Sequence, residues 1–197
     1  MMKIVCKILI LAIIVLFSGE AISSENHSPE ELVLLYYKHM ATHDMNTLAG
    51  YMHSKALNNI KEMLLPFLKD ALNSNEASGL LFAFTQGDTL KQIKEYSPQK
   101  FFSRFLLWIL SLKPDMDTIL KTSSIKPIGH ISENDIAHVV FRMTSDFKGM
   151  RISKLSVMSL RKEGNKWKFL LTGEIEGIAQ ALQRQTNTET KDGSTKE

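Results

Sequence analysis

Two histidines at helical spacing are the first residues whose types could do chemistry. His39 and His43 stand four residues apart, and two imidazoles at that spacing on one helix face can hold a zinc ion. No third ligand is evident, and position 40 is Met40, where a zinc-protease helix would carry glutamate. His43 also falls near the predicted end of a helix, where a cation is favoured. We therefore interpret both as capping or surface histidines and predict no metal site.

A second polar pair lies on a predicted strand. His138 and Arg142 alternate with apolar residues that include Val139 and Phe141. Inside a cavity, His138 would be a candidate acid or base and Arg142 a candidate anion-binding group. The simpler interpretation places Val139 and Phe141 in the core and turns the polar pair toward solvent or a dimer partner.

Aromatic side chains and methionines supply the third set of candidates. An apolar set of this kind either forms ordinary core or lines a hydrophobic ligand pocket, and both interpretations stay open. The ten methionines of the chain would suit an adaptable lining. Together with the polar pair, the predicted ligand-binding residues are Phe101, Phe105, Trp108, His138, Phe141, Arg142, Met143 and Trp167.

The chain lacks the short motifs of common catalytic and cofactor sites. It has no Gly-x-Ser-x-Gly sequence, no phosphate loop, no dinucleotide fingerprint and no carboxylate-rich calcium loop. We therefore predict no catalytic residue and no cofactor from motifs alone.

The N-terminus has the three parts of a secretory signal peptide. Two lysines precede an unbroken apolar run at 8–17, and Ala21 and Ser23 fit a cleavage site after Ser23, with cleavage after Ala21 as the near alternative. The run is shorter than the ~20 residues of a membrane span. We expect an exported protein, periplasmic or secreted, that loses residues 1–23 and keeps no integral membrane span; an uncleaved N-terminal anchor is the alternative.

Loss of the signal peptide also constrains composition and charge. Cys6, the only cysteine, is removed with it, which excludes disulfides, a cysteine nucleophile and thiolate metal sites. Removing Lys3, Lys7 and Glu20 changes the formal net charge from +3 to about +2. Without a basic block, the chain lacks the electrostatic footprint of a nucleic-acid-binding protein.

Helical periodicity dominates the first half of the mature chain. Ser28-Pro29-Glu30-Glu31 predicts a capped helix start, and Asp44 and Ser54 are predicted to cap two further helices. Pro66 is expected to kink or divide the third helix. Ser97-Pro98 opens another helix that is apolar nearly all round, so it should be buried or line a cavity.

The period changes from 3.6 to 2 after Pro114, which is predicted to end the helical half. Strands are predicted at 124–132, 136–146, 150–161 and from Trp167 onward, with Leu155 and Val157 on the apolar side of the third. Because no βαβ alternation appears, we predict an α+β fold. In this fold a helical N-terminal half packs on a curved antiparallel four-stranded sheet.

A C-terminal helix is expected to follow the sheet. Ile175, Ile178, Ala179 and Leu182 have the spacing of one helix face. Residues 184–197 contain no apolar side chain, so they are predicted to form a disordered tail.

The order of these elements and two local sequences resemble the nuclear transport factor 2-like superfamily. The first local sequence lies within 29–57 and includes His43-Asp44-Met45 and Tyr51-Met52-His53. The second is the final hairpin, 159–169, in which a charged turn precedes Trp167. The resemblance implies one cone-shaped domain over 24–183, with helices on the concave side of the sheet. It implies no single activity, because some members are isomerases or cyclases and others bind partners or lipids.

Three hypotheses about function follow. The leading one is an exported, non-enzymatic protein that binds a small hydrophobic or amphipathic, lipid-like ligand in a cone-shaped cavity. The second is a small isomerase- or cyclase-type enzyme that uses His138 as a pocket histidine. The third is an interaction module that forms a homodimer through its sheet. An exposed His138 and Arg142 would argue against the enzyme, whereas a continuous apolar cavity would favour the carrier.

Overall fold

One antiparallel sheet runs through the C-terminal half of the chain, with its strands in sequence order. The computed structural model describes residues 26–73, 81–112 and 114–192, so the predicted signal peptide lies outside the described residues. The strands are β1 (Ser124–Glu133), β2 (Ile136–Phe147), β3 (Met150–Glu163) and β4 (Lys166–Phe169). Each pairs only with its neighbours, as a meander requires.

Helices occupy the chain before the sheet, and one more follows it. They are α1 (Pro29–Ala41), α2 (Met45–Gly50), α3 (Ser54–Asn73), α4 (Phe82–Thr85), α5 (Leu90–Lys94), α6 (Pro98–Leu112), α7 (Pro114–Thr122) and α8 (Gly173–Asp192). The predicted α+β class is confirmed: a mostly helical N-terminal half, a four-stranded antiparallel sheet and a C-terminal helix.

Local capping fixes the first two helices where the sequence predicts them. The Ser28 hydroxyl accepts a hydrogen bond from the Glu31 amide at 3.2 Å, and the Glu31 carboxylate accepts one from the Ser28 amide at 2.8 Å. Asp44 accepts from the Thr47 amide at the start of α2. These caps satisfy amides that have no partner inside their helices, so they set where α1 and α2 begin.

Pro66, which is predicted to kink or divide the third helix, lies inside α3 without ending it. Two helix boundaries differ from the predicted ones. Pro114 begins α7 where the helical half was expected to end. Proline fits the first position of a helix, and the acidic first turn of α7 suits the helix N-terminus. Helix α8 continues to Asp192, so 184–192 are helical although no apolar residue anchors them; residues 193–197 of the predicted tail lie outside the described chain. The first half of α8 packs on the core through Ile175, Ile178 and Ala179. Once that half has formed, further residues can extend the helix, because each adds a backbone hydrogen bond.

The short strand β4 joins the sheet to the N-terminal helices. Phe169 forms a parallel bridge with Met52, in the segment between α2 and α3. Its carbonyl accepts from the His53 amide at 2.8 Å, and its amide donates to the Tyr51 carbonyl at 2.9 Å. The Phe169 ring is fully buried and lies 5.1 Å from the Tyr36 ring in an edge-to-face contact.

The two faces of the sheet are distinct. Ala137, Val139 and Phe141 of β2 point inward and are buried, and Met158 and Leu160 of β3 share that face. The prediction that Leu155 and Val157 lie on the core side of β3 is wrong, since these side chains are on the opposite face and 54% and 57% exposed. The pairing register decides this, because Val139 stands opposite Met158 and side chains alternate along each strand.

Candidate functional site: a cavity under the sheet

A cavity of about 580 Å³ lies between the inner face of the sheet and the helices. This volume is within the ~300–1,000 Å³ range of small-molecule sites. Its walls come from α1, α6, α7, β2, β3 and the first turns of α8. The lining residues are Tyr36, Tyr37, Met40, Leu106, Ile109, Leu110, Met116, Leu120, Phe141, Met143, Lys154, Leu155, Ser156, Val157, Met158, Thr172, Gly173, Glu174, Ile175 and Ile178.

The deep part of the cavity is apolar because one stripe of each surrounding helix faces it. Leu106, Ile109 and Leu110 have i, i+3, i+4 spacing on α6, which brings them to one face of that helix. Ile175 and Ile178, three residues apart, likewise lie on one face of α8. Four methionines complete the lining: Met40, Met116, Met143 and Met158. Flexible methionine side chains let such a wall adapt to the shape of a ligand.

Two adjacent tyrosines bring hydroxyl groups to this apolar space. Tyr36 is 6% exposed, and the Tyr37 ring packs 5.5 Å from that of Phe141. Burial, and to a smaller extent the nearby Glu174, raises the pKa of Tyr37 to about 12. Burial also raises the pKa of Tyr36, with smaller contributions from Tyr37 and Glu174. Both phenols therefore keep their protons near neutral pH and can donate hydrogen bonds.

Within the described part of the chain, the hydroxyls of Tyr36 and Tyr37 form no hydrogen bond. By contrast, the hydroxyl of Tyr96, elsewhere in the helical layer, donates to Asp88. A buried polar group normally has a partner, so the two hydroxyls at the cavity are available to a ligand or to water.

An ion pair stands where the cavity reaches the surface. Lys154 of β3 and Glu174 of α8 lie 2.9 Å apart, and their side chains are 56% and 78% exposed. Thr172 accepts from the Ile175 amide at 3.4 Å and so caps the start of α8 beside them. The cavity thus has an apolar interior, two phenols and a charged mouth, an arrangement that fits a ligand with an apolar body and a polar head.

Of the eight predicted ligand-binding residues, the structure brings two to this cavity. Phe141 and Met143 line it from β2. Phe101, Phe105 and Trp108 lie on α6 but pack into the core among the helices; Phe101, for example, lies 5.1 Å from Phe84. They occupy the face of α6 that looks away from the cavity, because a helix apolar nearly all round has two buried sides.

Trp167 lies outside the cavity as well. It is partly buried on the inner face of β4, opposite Lys162, whose ammonium group lies 5.1 Å from the centre of its ring. The strand pairing places it at the hairpin end of the sheet, where it packs against the core.

His138 and Arg142 are on the outer face of the sheet and do not reach the cavity. Both are exposed. His138 lies 2.9 Å from the Ser159 hydroxyl, and Arg142 donates to the Ser153 hydroxyl at 3.3 Å. Strand alternation explains their placement, because Val139 and Phe141 take the core side of β2. These two residues therefore lie on the outer surface of the sheet, away from the cavity.

The histidine pair of α1 does not converge on one site. His39 lies 3.1 Å from Asp44, whereas His43 lies 2.8 Å from Asp117 of α7. Within the ranges that the structure describes, no group of three histidine, cysteine or carboxylate side chains could hold a metal ion. The two histidines tie the end of α1 to neighbouring carboxylates.

Sequence reasoning missed the polar groups of the cavity. None of the four, Tyr36, Tyr37, Lys154 and Glu174, is among the residues that the sequence predicts to bind a ligand. The adjacent Tyr36-Tyr37 pair on a helix that must pack on the sheet is a signal, since buried tyrosine hydroxyls normally need partners. The sequence gives no comparable signal that Lys154 and Glu174 meet.

Comparisons with models of protein families, with curated proteins and with solved structures find no match for this chain. Among the described helices, none is long and apolar enough to cross a membrane. The structure shows the α+β class of the fold. The nuclear transport factor 2-like assignment is a proposal that rests on the sequence.

Proposed function

We propose that this chain is an exported binding protein that holds a small amphipathic, lipid-like molecule in the cavity under its sheet. The observation that carries the proposal is the cavity itself: about 580 Å³ of mainly apolar-lined space, with Tyr36 and Tyr37 in its wall and no hydrogen-bond partner for their hydroxyls among the described residues. A cavity of this kind is the usual form of a small-molecule site. The resemblance to the nuclear transport factor 2-like superfamily supports it, since some members that the chain resembles bind lipids.

The lining indicates the chemistry of the ligand. The apolar body would contact the α6 stripe, Leu106, Ile109 and Leu110, and the methionines. The head would accept hydrogen bonds from the phenols of Tyr36 and Tyr37, because protonated phenols are donors. A hydroxyl, ester or carboxyl head group meets this requirement.

The geometry gives no support to an enzyme that uses His138. The imidazole is exposed on the outer face of the sheet, so it cannot reach a molecule in the cavity. Among the described residues, the titratable groups that line the cavity are the two tyrosines, Lys154 and Glu174. The tyrosines stay protonated near neutral pH, and the ion pair stands at the exposed mouth.

Native mass spectrometry of residues 24–197, purified from the exported fraction without detergent, tests the proposal first. A bound mass of a few hundred daltons, released by organic solvent, is the expected result. In parallel, a fluorescent fatty-acid analogue should bind the protein and be displaced by unlabelled fatty acid.

A matched pair of variants on α6 tests the location of binding. Leu110→Trp places a bulky ring in the cavity, whereas Leu112→Trp places it on the 41% exposed side of the same helix. We expect the first variant to lose most binding of the fluorescent probe and the second to keep it. Equal affinities of the two variants, both folded by circular dichroism, would place the ligand elsewhere.

A further inference from the structure

The outer face of the sheet carries exposed apolar residues. Of the nine large apolar side chains that are exposed in the described chain, three lie on this face: Ile131, Leu155 and Val157. Ile131 is 70% exposed, Val157 57% and Leu155 54%. With the partly exposed Val140 they form what we call the outer patch: Ile131, Val140, Leu155 and Val157.

The strand register places the outer patch beside two cations. Lys126, Arg142 and Leu155 form one row across β1, β2 and β3; Val140 and Val157 lie in the next row. Ile131 of β1 lies in the third row, beside His138 of β2 and Ser159 of β3. Rows two residues apart are about 6.6 Å apart, so the cations lie next to the apolar side chains, on the same surface.

Lys126 and Arg142 are cations that no described carboxylate pairs with. They stand directly opposite each other on β1 and β2, a like-charge arrangement that destabilises a sheet. Throughout the described ranges, no carboxylate lies within ion-pair distance of either side chain. Arg142 has only the Ser153 hydroxyl as a neutral partner. An external anion would relieve this repulsion.

The outer patch also meets the cavity. Leu155 and Val157 expose their side chains on the outer face, yet both residues contribute to the cavity wall along β3. The mouth formed by Lys154 and Glu174 lies at the same strand. Strand β3 thus separates the outer patch from the cavity, with Leu155 and Val157 on one face and Lys154 on the other.

We propose that the outer patch docks the protein on an anionic lipid surface, with Lys126 and Arg142 at the phosphates and Leu155 and Val157 in the acyl region. Apolar side chains flanked by cations are the elements of interfacial membrane binding. A second copy of the chain fits this face less well, because a face-to-face dimer would bring Lys126 and Arg142 against their own copies. Docking concerns the surface and does not depend on whether the cavity is occupied.

Sedimentation with vesicles tests the proposal on residues 24–197. The protein should pellet with vesicles of equal parts phosphatidylglycerol and phosphatidylcholine and stay in solution with pure phosphatidylcholine. Arg142→Glu removes one attraction and adds one repulsion, each worth about fivefold in partitioning, so binding should fall about thirtyfold. Lys38→Glu makes the same charge change on an exposed position of α1 and should bind like the unmodified protein.

A second matched pair tests the apolar part of the surface. Leu155→Ser should weaken vesicle binding severalfold, whereas Leu34→Ser, at a 43% exposed position on α1, should not. The proposal is overturned if the unmodified protein ignores the anionic vesicles, or if Arg142→Glu and Lys38→Glu partition alike. It is also overturned if sedimentation velocity shows a dimer that Leu155→Ser dissociates. Binding of the fluorescent fatty-acid analogue without vesicles, measured on the same variants, separates failure of docking from failure of the cavity.

Discussion

Removing one tyrosine hydroxyl from the cavity should leave the stability of the protein almost unchanged. A buried tyrosine normally loses a hydrogen bond when it becomes phenylalanine, at a net cost of about 0.5–1.5 kcal/mol. The hydroxyls of Tyr36 and Tyr37 have no hydrogen-bond partner within the described residues, so replacing either tyrosine by phenylalanine breaks no hydrogen bond there. We expect Tyr37→Phe to change the free energy of unfolding by less than about 0.5 kcal/mol in either direction.

Tyr96→Phe is the matched control for this experiment. The Tyr96 hydroxyl donates to the Asp88 carboxylate, and a hydrogen bond to a charged group contributes about 1.5–3 kcal/mol when well shielded. Asp88 is about one-third exposed, so we expect a loss near 1–2 kcal/mol, or about 2–8 °C in melting temperature for a chain of this size. Urea denaturation of the three proteins, followed by far-ultraviolet circular dichroism, measures both values.

Ligand affinity should respond in the opposite way. Tyr37→Phe removes a donor that the ligand uses, which costs about 1 kcal/mol, or about fivefold in the affinity for the fluorescent fatty-acid analogue. Tyr96→Phe should leave that affinity unchanged. The reasoning is refuted if Tyr37→Phe destabilises the protein as much as Tyr96→Phe does, because its hydroxyl would then already have a partner.

Two further predictions concern what holds the fold together. Hydrogen bonding to Ser54, mainly through its side chain and also from its amide at 3.2 Å, lowers the pKa of the Glu163 carboxyl below its ordinary 4.5. The stabilising contribution of this carboxylate should therefore be present above about pH 5 and be lost as the pH falls through the lowered value. Urea titrations between about pH 6 and pH 3 should therefore show a shallower loss of stability for Glu163→Gln, and identical slopes would contradict this assignment. Phe169→Ala removes a fully buried ring that packs against Tyr36, so it should lower the free energy of unfolding by about 3–5 kcal/mol. The control Leu34→Ala, at an exposed position, should lower it by under about 0.5 kcal/mol. A decrease below about 1 kcal/mol for Phe169→Ala would mean that the ring does not anchor β4.

Local signals in the sequence were sufficient for most of the fold. Ser28 and Asp44 mark helix starts because a side-chain oxygen there satisfies a free amide, a requirement that depends on a few neighbouring residues. The meander follows from period-2 segments separated by short turns. The prediction that Pro114 ends the helical half was wrong because a proline can either follow the end of one helix or begin the next. Which of these occurs is decided by the residues after the proline.

The site depends on contacts that the sequence does not encode locally. Alternation along β2 showed that His138 and Phe141 face opposite ways, and the structure decides which face meets the helices. For β3 the apolar appearance of Leu155 and Val157 indicated the wrong face, because they lie on the exposed outer patch. Lys154 and Glu174 meet only through the path of the chain from β3 to α8, which no periodicity predicts.

The bridge between β4 and the segment before α3 has a consequence for how the chain folds. The Lys168 ammonium group donates to the Gly50 carbonyl, 118 residues earlier, and Phe169 closes the same junction. Contacts over such sequence distances form late and slow the search for the native state. A nascent chain therefore presents its helices long before the strand that secures them has been synthesised. During that interval the N-terminal helices lack the β4 contacts that close the junction at Met52 and His53.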